Sequence, residues 1–81
     1  VDFQYTDRFR RSYQAAPPEI RKTFAQKAKL LLNDLRHPSL RAKKYSEAEQ
    51  IWQARVNRDW RFYFLIEDST YILLDIMAHP K

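Results

Sequence analysis

The chain has 81 residues, with 15 Lys and Arg against 10 Asp and Glu, a net charge of +5 and a pI near 9.7. That length fits one domain, residues 1–81, near the lower limit at which a core sustains folding, and the absence of cysteine excludes disulfides and thiolate metal ligands. No apolar run has the length of a membrane span and nothing at the start resembles a secretion signal, so the expectation is a cytoplasmic protein; the basic surplus by itself fits phosphate backbones, an anionic membrane surface or an acidic partner, and of these no membrane is expected.

Val1 stands where an initiator Met would, which points to processing or a longer parent chain. Val1 to Tyr5 has β character and predicts a first strand. Thr6 offers a side-chain oxygen as an N-cap, with Asp7 in the first turn and Phe9 and Tyr13 on one face, so a short helix is expected from Asp7 to Gln14. Pro17 and Pro18 interrupt it, and Pro18 suits the first turn of a second helix. Apolar residues at Ile20, Phe24, Ala28, Leu31, Leu32 and Leu35 form a helical stripe that extends to Leu35.

Arg36 to Ser39 ends that helix at Pro38. Leu40 to Tyr45 is expected to be extended or irregular, and Ser46 to Gln50 a polar loop. Three strands follow: IWQARVN, WRFYFLIE and TYILLDIMAHPK. With no glycine in the chain, the turns are expected to use Asn57, Asp59 and Asp68, which tolerate left-handed geometry. The fold class is therefore α+β: a strand, a helical hairpin and an antiparallel three-stranded meander, with the helices on one sheet face. Trp52, Ala54 and Val56 should face the core with most of Phe62, Phe64, Ile72, Leu74 and Ile76. Twelve aromatics (5 Phe, 5 Tyr and 2 Trp) are expected to compensate for the missing disulfides. Alternation leaves Gln53, Arg55, Arg61 and Tyr63 on the opposite face.

The order Leu-Arg-His-Pro-Ser-Leu-Arg-Ala-Lys-Lys, Trp-Gln-Ala-Arg-Val, Arg-Asp-Trp-Arg-Phe and Leu-Leu-Asp-Ile-Met-Ala-His resembles the RelE/ParE superfamily of bacterial toxins over nearly the whole chain. The resemblance implies the toxin half of a type II toxin–antitoxin module, neutralised by a cognate antitoxin. It implies either cleavage of mRNA, often on the ribosome, or inhibition of DNA gyrase, and leaves a non-toxic antitoxin-binding remnant as a further reading. It departs from the family pattern at Gln53, where ribonucleolytic relatives carry a lysine, at Pro80, where arginine is common, and in having no C-terminal tyrosine.

Metal-free RNA cleavage needs a proton acceptor for the 2′-hydroxyl, cations for the crowded phosphorus centre and a proton for the leaving 5′-oxygen. By resemblance, Arg55 and Arg61 are the phosphate-gripping cations and His79 the acid or base, imidazole being the side chain that ordinarily changes charge near neutrality. Lys43, Lys44 and Gln53 are the expected RNA-binding residues. Arg61 paired with Asp59 or Asp75 is the structural alternative. Glu47 and Glu49 are expected to be loop residues, and His37 a helix-end residue. No cofactor is expected: two distant histidines and scattered carboxylates form no recognisable ligand set.

Overall fold

The computed structural model describes residues 2–79; Val1, Pro80 and Lys81, with the expectations that fall on them, lie outside the described residues. The element order is β1 (Asp2–Tyr5), α1 (Asp7–Ala15), α2 (Pro18–Asn33), a 3₁₀ turn (Pro38–Leu40), β2 (Lys43–Ser46), β3 (Ile51–Arg55), β4 (Trp60–Glu67) and β5 (Thr70–Ala78). The strands form one sheet in the order β1-β5-β4-β3-β2. The expected meander is its centre. β2 extends it on one side, antiparallel to β3, and β1 closes the other side, parallel to β5. The expected α+β class holds: the expected first strand forms one edge of the sheet, and β2 adds the other.

Local chemistry sets the helix ends. Thr6 is the N-cap of α1: its Oγ1 accepts the amide of Phe9 at 3.1 Å and donates to the carbonyl of Leu73 at 2.9 Å, tying the start of the helix to β5. Pro17 and Pro18 separate the two helices, and Pro18 begins α2 where no amide hydrogen is needed. α2 stops at Asn33, two residues short of Leu35, because Asp34 is extended (φ −160°) and its amide donates to the carbonyl of Leu30. His37 caps the following 3₁₀ turn, its Nδ1 accepting the amide of Ser39 at 3.2 Å.

The core lies between α2 and one sheet face. Ile20, Phe24, Ala28 and Leu31 are its buried helical residues, and Ala54, Phe62, Phe64, Leu73 and Ile76 are buried with them. Phe24 meets Phe62 edge to face, with ring centroids 5.1 Å apart and planes at 90°. Phe9, against Phe24 at 5.4 Å, and Phe64, stacked on Phe62 at 5.7 Å, extend this aromatic spine. Burying side chains of this size stabilises the fold by roughly 1.5–3 kcal/mol each. Among the described residues no helix is long and apolar enough to cross a membrane.

The expected alternation along β5 is displaced by one residue. A register shift opposite Tyr63 and Phe64 pairs Tyr63 with Asp75 but Phe64 with Leu73. Leu73 is therefore fully buried, while Leu74 lies on the open face with Tyr63 and Met77. An added residue of this kind reverses the inward set of a strand beyond it. Ile72, opposite Leu65, shares the open side.

The turns meet the expectation at Asp68 and differ from it at Asn57 and Asp59. Among the described residues Arg41, Gln50 and Asp68 have positive φ; Asn57 and Asp59 do not. Asn57 acts instead through its side chain: Oδ1 accepts the amides of Asp59 and Trp60, both at 2.9 Å, which closes the β3–β4 turn as an Asx turn.

Candidate functional site

The open sheet face carries two adjoining depressions, and the first is made of cations. Alternation directs Gln53 and Arg55 of β3 and Arg61 of β4 away from the helices. The ladder sets Arg55 opposite Arg61 and Lys43 of β2 opposite Gln53. Arg41, left-handed at φ 47°, comes to the same side as Lys43, and His79 follows the end of β5. Arg41, Lys43, Gln53, Arg55, Arg61 and His79 line a cavity of about 350 Å³, and no lining residue is acidic.

The two arginines are held differently. Arg61 is 8% exposed. Its Nη1 donates to the carbonyls of Asn57 (2.8 Å), Trp60 (3.0 Å) and Arg58 (3.3 Å), clamping the β3–β4 turn. Asp75 pairs instead with Arg8, whose Nε is 3.0 Å from Oδ2. Arg55 is half-buried, and its enclosed Nε has no hydrogen-bond partner among the described residues. Burial, and then the charges of Arg41 and Arg61, lower its pKa from the ordinary guanidinium value. The share that Arg41 and Arg61 add to this lowering marks a positive potential that a bound anion would relieve.

His79 is exposed, and its backbone is anchored: its amide donates to the carbonyl of Asp59 at 2.6 Å. The turn that Arg61 clamps is thus the turn that positions His79. Lys43 and Gln53 join the cavity as expected neighbours, whereas Lys44 does not. It follows Lys43 in a strand, so its side chain goes to the other face. There its Nζ lies 5.4 Å from the centroid of the Trp52 ring and donates to Gln50 Oε1 at 2.7 Å, with Glu47 Oε2 at 3.8 Å. Glu47 and Glu49 are exposed on the β2–β3 loop.

Arg41 is the site residue that the sequence reading did not single out. Its signal was the Arg41-Ala42-Lys43 spacing, which puts two cations on one side of an extended segment. Among the described residues no group of three or more His, Cys, Asp or Glu gathers to hold a metal ion. The positive charge of the cavity comes from three guanidiniums and one ammonium, which suit forked and point contacts to phosphate oxygens.

The second depression, of about 460 Å³, lies beyond Tyr63, with Tyr45, Leu74 and Met77 in its lining and the Arg8–Asp75 ion pair within it. Tyr45 and Tyr63 meet at 5.1 Å, with planes at 71°. Burial raises the Tyr63 pKa, with Tyr45 and Asp75 reinforcing the rise against Arg61.

No family model matches the sequence, and no curated protein does. Solved structures do match. A YoeB/ParE toxin from Agrobacterium tumefaciens superposes with a TM-score of 0.79 at 10% identity, over 99% of this chain and 100% of that one. YafQ from E. coli gives 0.79 at 18% identity, over 96% and 92%. The RelBE2 toxin–antitoxin complex of Mycobacterium tuberculosis gives 0.75 at 21% identity, over 96% of each chain. At such identities what is shared is the path of the backbone, and it is shared over nearly the whole chain. The chain has the fold of the RelE/ParE superfamily of toxins.

Proposed function

We propose that this protein is the toxin of a toxin–antitoxin pair and acts as an endoribonuclease on mRNA, with its site in the cationic cavity. The observation that carries this reading is the convergence of Arg41, Lys43, Arg55 and Arg61 on one cavity with His79 and no acidic lining residue. A phosphodiester fits such a place electrostatically, and guanidiniums aimed at it stabilise the charge that builds on the phosphorus oxygens. In the reaction the 2′-oxygen attacks phosphorus and the P–O5′ bond breaks. One proton leaves the 2′-hydroxyl and one reaches the 5′-oxygen, giving a 2′,3′-cyclic phosphate and a 5′-hydroxyl. His79 serves as the proton-transfer group, Arg55 as the principal anion grip, and Arg61 as the residue that holds the turn behind both. This chemistry is carried by side chains and calls for no metal.

RelBE2 is a toxin–antitoxin complex, and we assign this chain an antitoxin partner on the same grounds of fold. The nuclease reading is tested by inducing the protein and mapping transcript ends, with Arg55→Ala as control. Cleaved transcripts that Arg55→Ala leaves intact are expected. Arrested growth with intact RNA and a supercoiling defect would replace the reading with one directed at gyrase.

A further inference from the structure

We propose that Asn57 is a positioning residue for RNA cleavage: its side-chain oxygen sets the two peptide units on which Arg61 and His79 are held. The inference rests on the nuclease reading of the cavity and adds a residue that is not in its lining. Asn57 Oδ1 accepts two successive amides, those of Asp59 and Trp60, both at 2.9 Å. Each amide is one end of a planar unit whose other end is a carbonyl. The amide of Asp59 shares its plane with the carbonyl of Arg58, which accepts Arg61 Nη1 at 3.3 Å. The amide of Trp60 shares its plane with the carbonyl of Asp59, which accepts the amide of His79 at 2.6 Å. One oxygen therefore orients both planes, and each plane carries a site residue at its far end.

The two attachments depend on Asn57 to different degrees. Arg61 belongs to β4 and pairs with Arg55. Its shorter contacts run to the carbonyls of Asn57 at 2.8 Å and Trp60 at 3.0 Å, which belong to the peptide units on either side of the two that Oδ1 holds. His79 lies one residue beyond β5, whose pairing with β4 ends at Trp60 and Ala78. The Asp59 carbonyl is what extends the hold of the sheet to His79. With Asn57 Oδ1 removed, the Asp59–Trp60 unit can rotate, and the anchor of the exposed imidazole turns with it.

An Asx turn ordinarily does no more than close a hairpin. Here the closed turn also carries the residue that follows the neighbouring strand, and that residue is the proton-transfer group. Arg41, Lys43 and Arg55 grip the phosphate from β3 and from β2 with the residues just before it, so the turn does not hold them. A misplacement of about 1 Å, even from a change far from the reacting atoms, can cost about 10²-fold in rate. Loosening the turn therefore acts on the chemical step and spares the binding of RNA.

The test is a double-mutant cycle of Asn57→Ala and His79→Ala, read as the single-turnover cleavage rate of an mRNA offered free and on ribosomes. Affinity is read separately, by fluorescence anisotropy on a 2′-O-methylated oligonucleotide, which cannot be cut. Asn57→Ala is expected to slow cleavage by up to about 10²-fold and to leave the affinity unchanged. Asn57→Asp keeps an acceptor oxygen at the turn and should recover most of the rate. In the His79→Ala background Asn57→Ala should add almost nothing, because residues that act as a unit are not additive. Amide exchange supplies a readout apart from activity: the His79 amide should exchange faster in Asn57→Ala, and not in Asn57→Asp, while amides within β4 keep their protection. An additive loss in the double variant, cleavage by Asn57→Ala at the wild-type rate, a loss of affinity equal to the loss of rate, or a His79 amide still protected in Asn57→Ala would each overturn the positioning role and leave the nuclease standing. No cleavage by the wild-type protein in either form would remove the nuclease reading and this role with it.

Discussion

Arg55 and Arg61 stand opposite each other across the β3–β4 ladder, and only Arg61 has its guanidinium engaged by the backbone of its own turn. The pairing brings like charges together, which destabilises a ladder unless something offsets it. For Arg61 the three turn carbonyls do so. For Arg55, whose Nε is enclosed without a partner among the described residues, the turn supplies no such offset.

Arg61→Ala is expected to lower stability by about 2–3 kcal/mol, since hydrogen bonds from a charged donor contribute about 1.5–3 kcal/mol and the carbonyls left behind lose a partner. Arg61→Lys should recover only part of this, because an ammonium lacks the fork. Urea unfolding midpoints measure both. A midpoint unchanged in Arg61→Ala would show that the clamp contributes nothing.

Arg55→Met should behave in the opposite way. Removing a cation from beside Arg41 and Arg61 relieves repulsion, so the thermal midpoint should hold or rise. RNA cleavage should fall about 10²–10³-fold, the effect of losing one donor that stabilises developing charge. Melting and cleavage measured on one preparation check the pair. A lower midpoint with cleavage intact would assign Arg55 to structure and not to the site.

The register shift in β5 separates two neighbouring leucines. Leu73 is fully buried, so Leu73→Ala should cost about 2–5 kcal/mol. Leu74→Ala, on the open face, should cost less than about 1 kcal/mol. Equal losses would mean that the strand alternates without the added residue.

Tyr63 and Tyr71 both have pKa values raised by burial above the ordinary tyrosine value. A raised pKa means that the folded chain binds the phenolic proton more tightly than the unfolded chain. The associated stability is complete below the unfolded pKa of about 10 and is lost as pH rises through the folded values. Absorbance titration of the phenolate should show these two groups ionising above the ordinary tyrosine value, and urea midpoints should fall as pH passes about 10.

Salt should weaken RNA binding in proportion to the phosphates engaged. If three cations of the cavity each neutralise one phosphate, log affinity should fall by about 2 for each tenfold rise in salt. Arg41→Gln should reduce that slope by about 0.7. A slope unaffected by Arg41→Gln would take Arg41 out of the interface.

The helices and the three central strands were legible because each carries a period of its own: Ile20, Phe24, Ala28 and Leu31 at helical spacing, and Trp52, Ala54, Phe62 and Phe64 alternating. β2 was less so. Lys43–Ser46 is four polar or half-polar residues, and its strand state comes from pairing with β3. Leaving that segment extended or irregular, with no strand assigned, is what grouped Lys44 with Lys43; once it is a strand, the two must part. The Leu73–Leu74 exchange arises from a pairing irregularity with β4, which no pattern within β5 alone encodes. In the site, Arg55, Arg61, His79, Lys43 and Gln53 were approached through alternation and resemblance. Arg41 depended on a left-handed backbone in a non-glycine residue, and local propensity argues against that conformation.

The parallel pairing of β1 with β5 sets Asp2 opposite Thr70 and Tyr5 opposite Leu73, so the sheet is closed by segments far apart in the chain. β1 can find its neighbour only after β5 has left the ribosome, and His79 completes the cavity only then. Until β5 has emerged, a nascent chain therefore has no finished sheet and no assembled cationic cavity. Among the described residues the cationic cavity is thus assembled no earlier than the sheet that carries it.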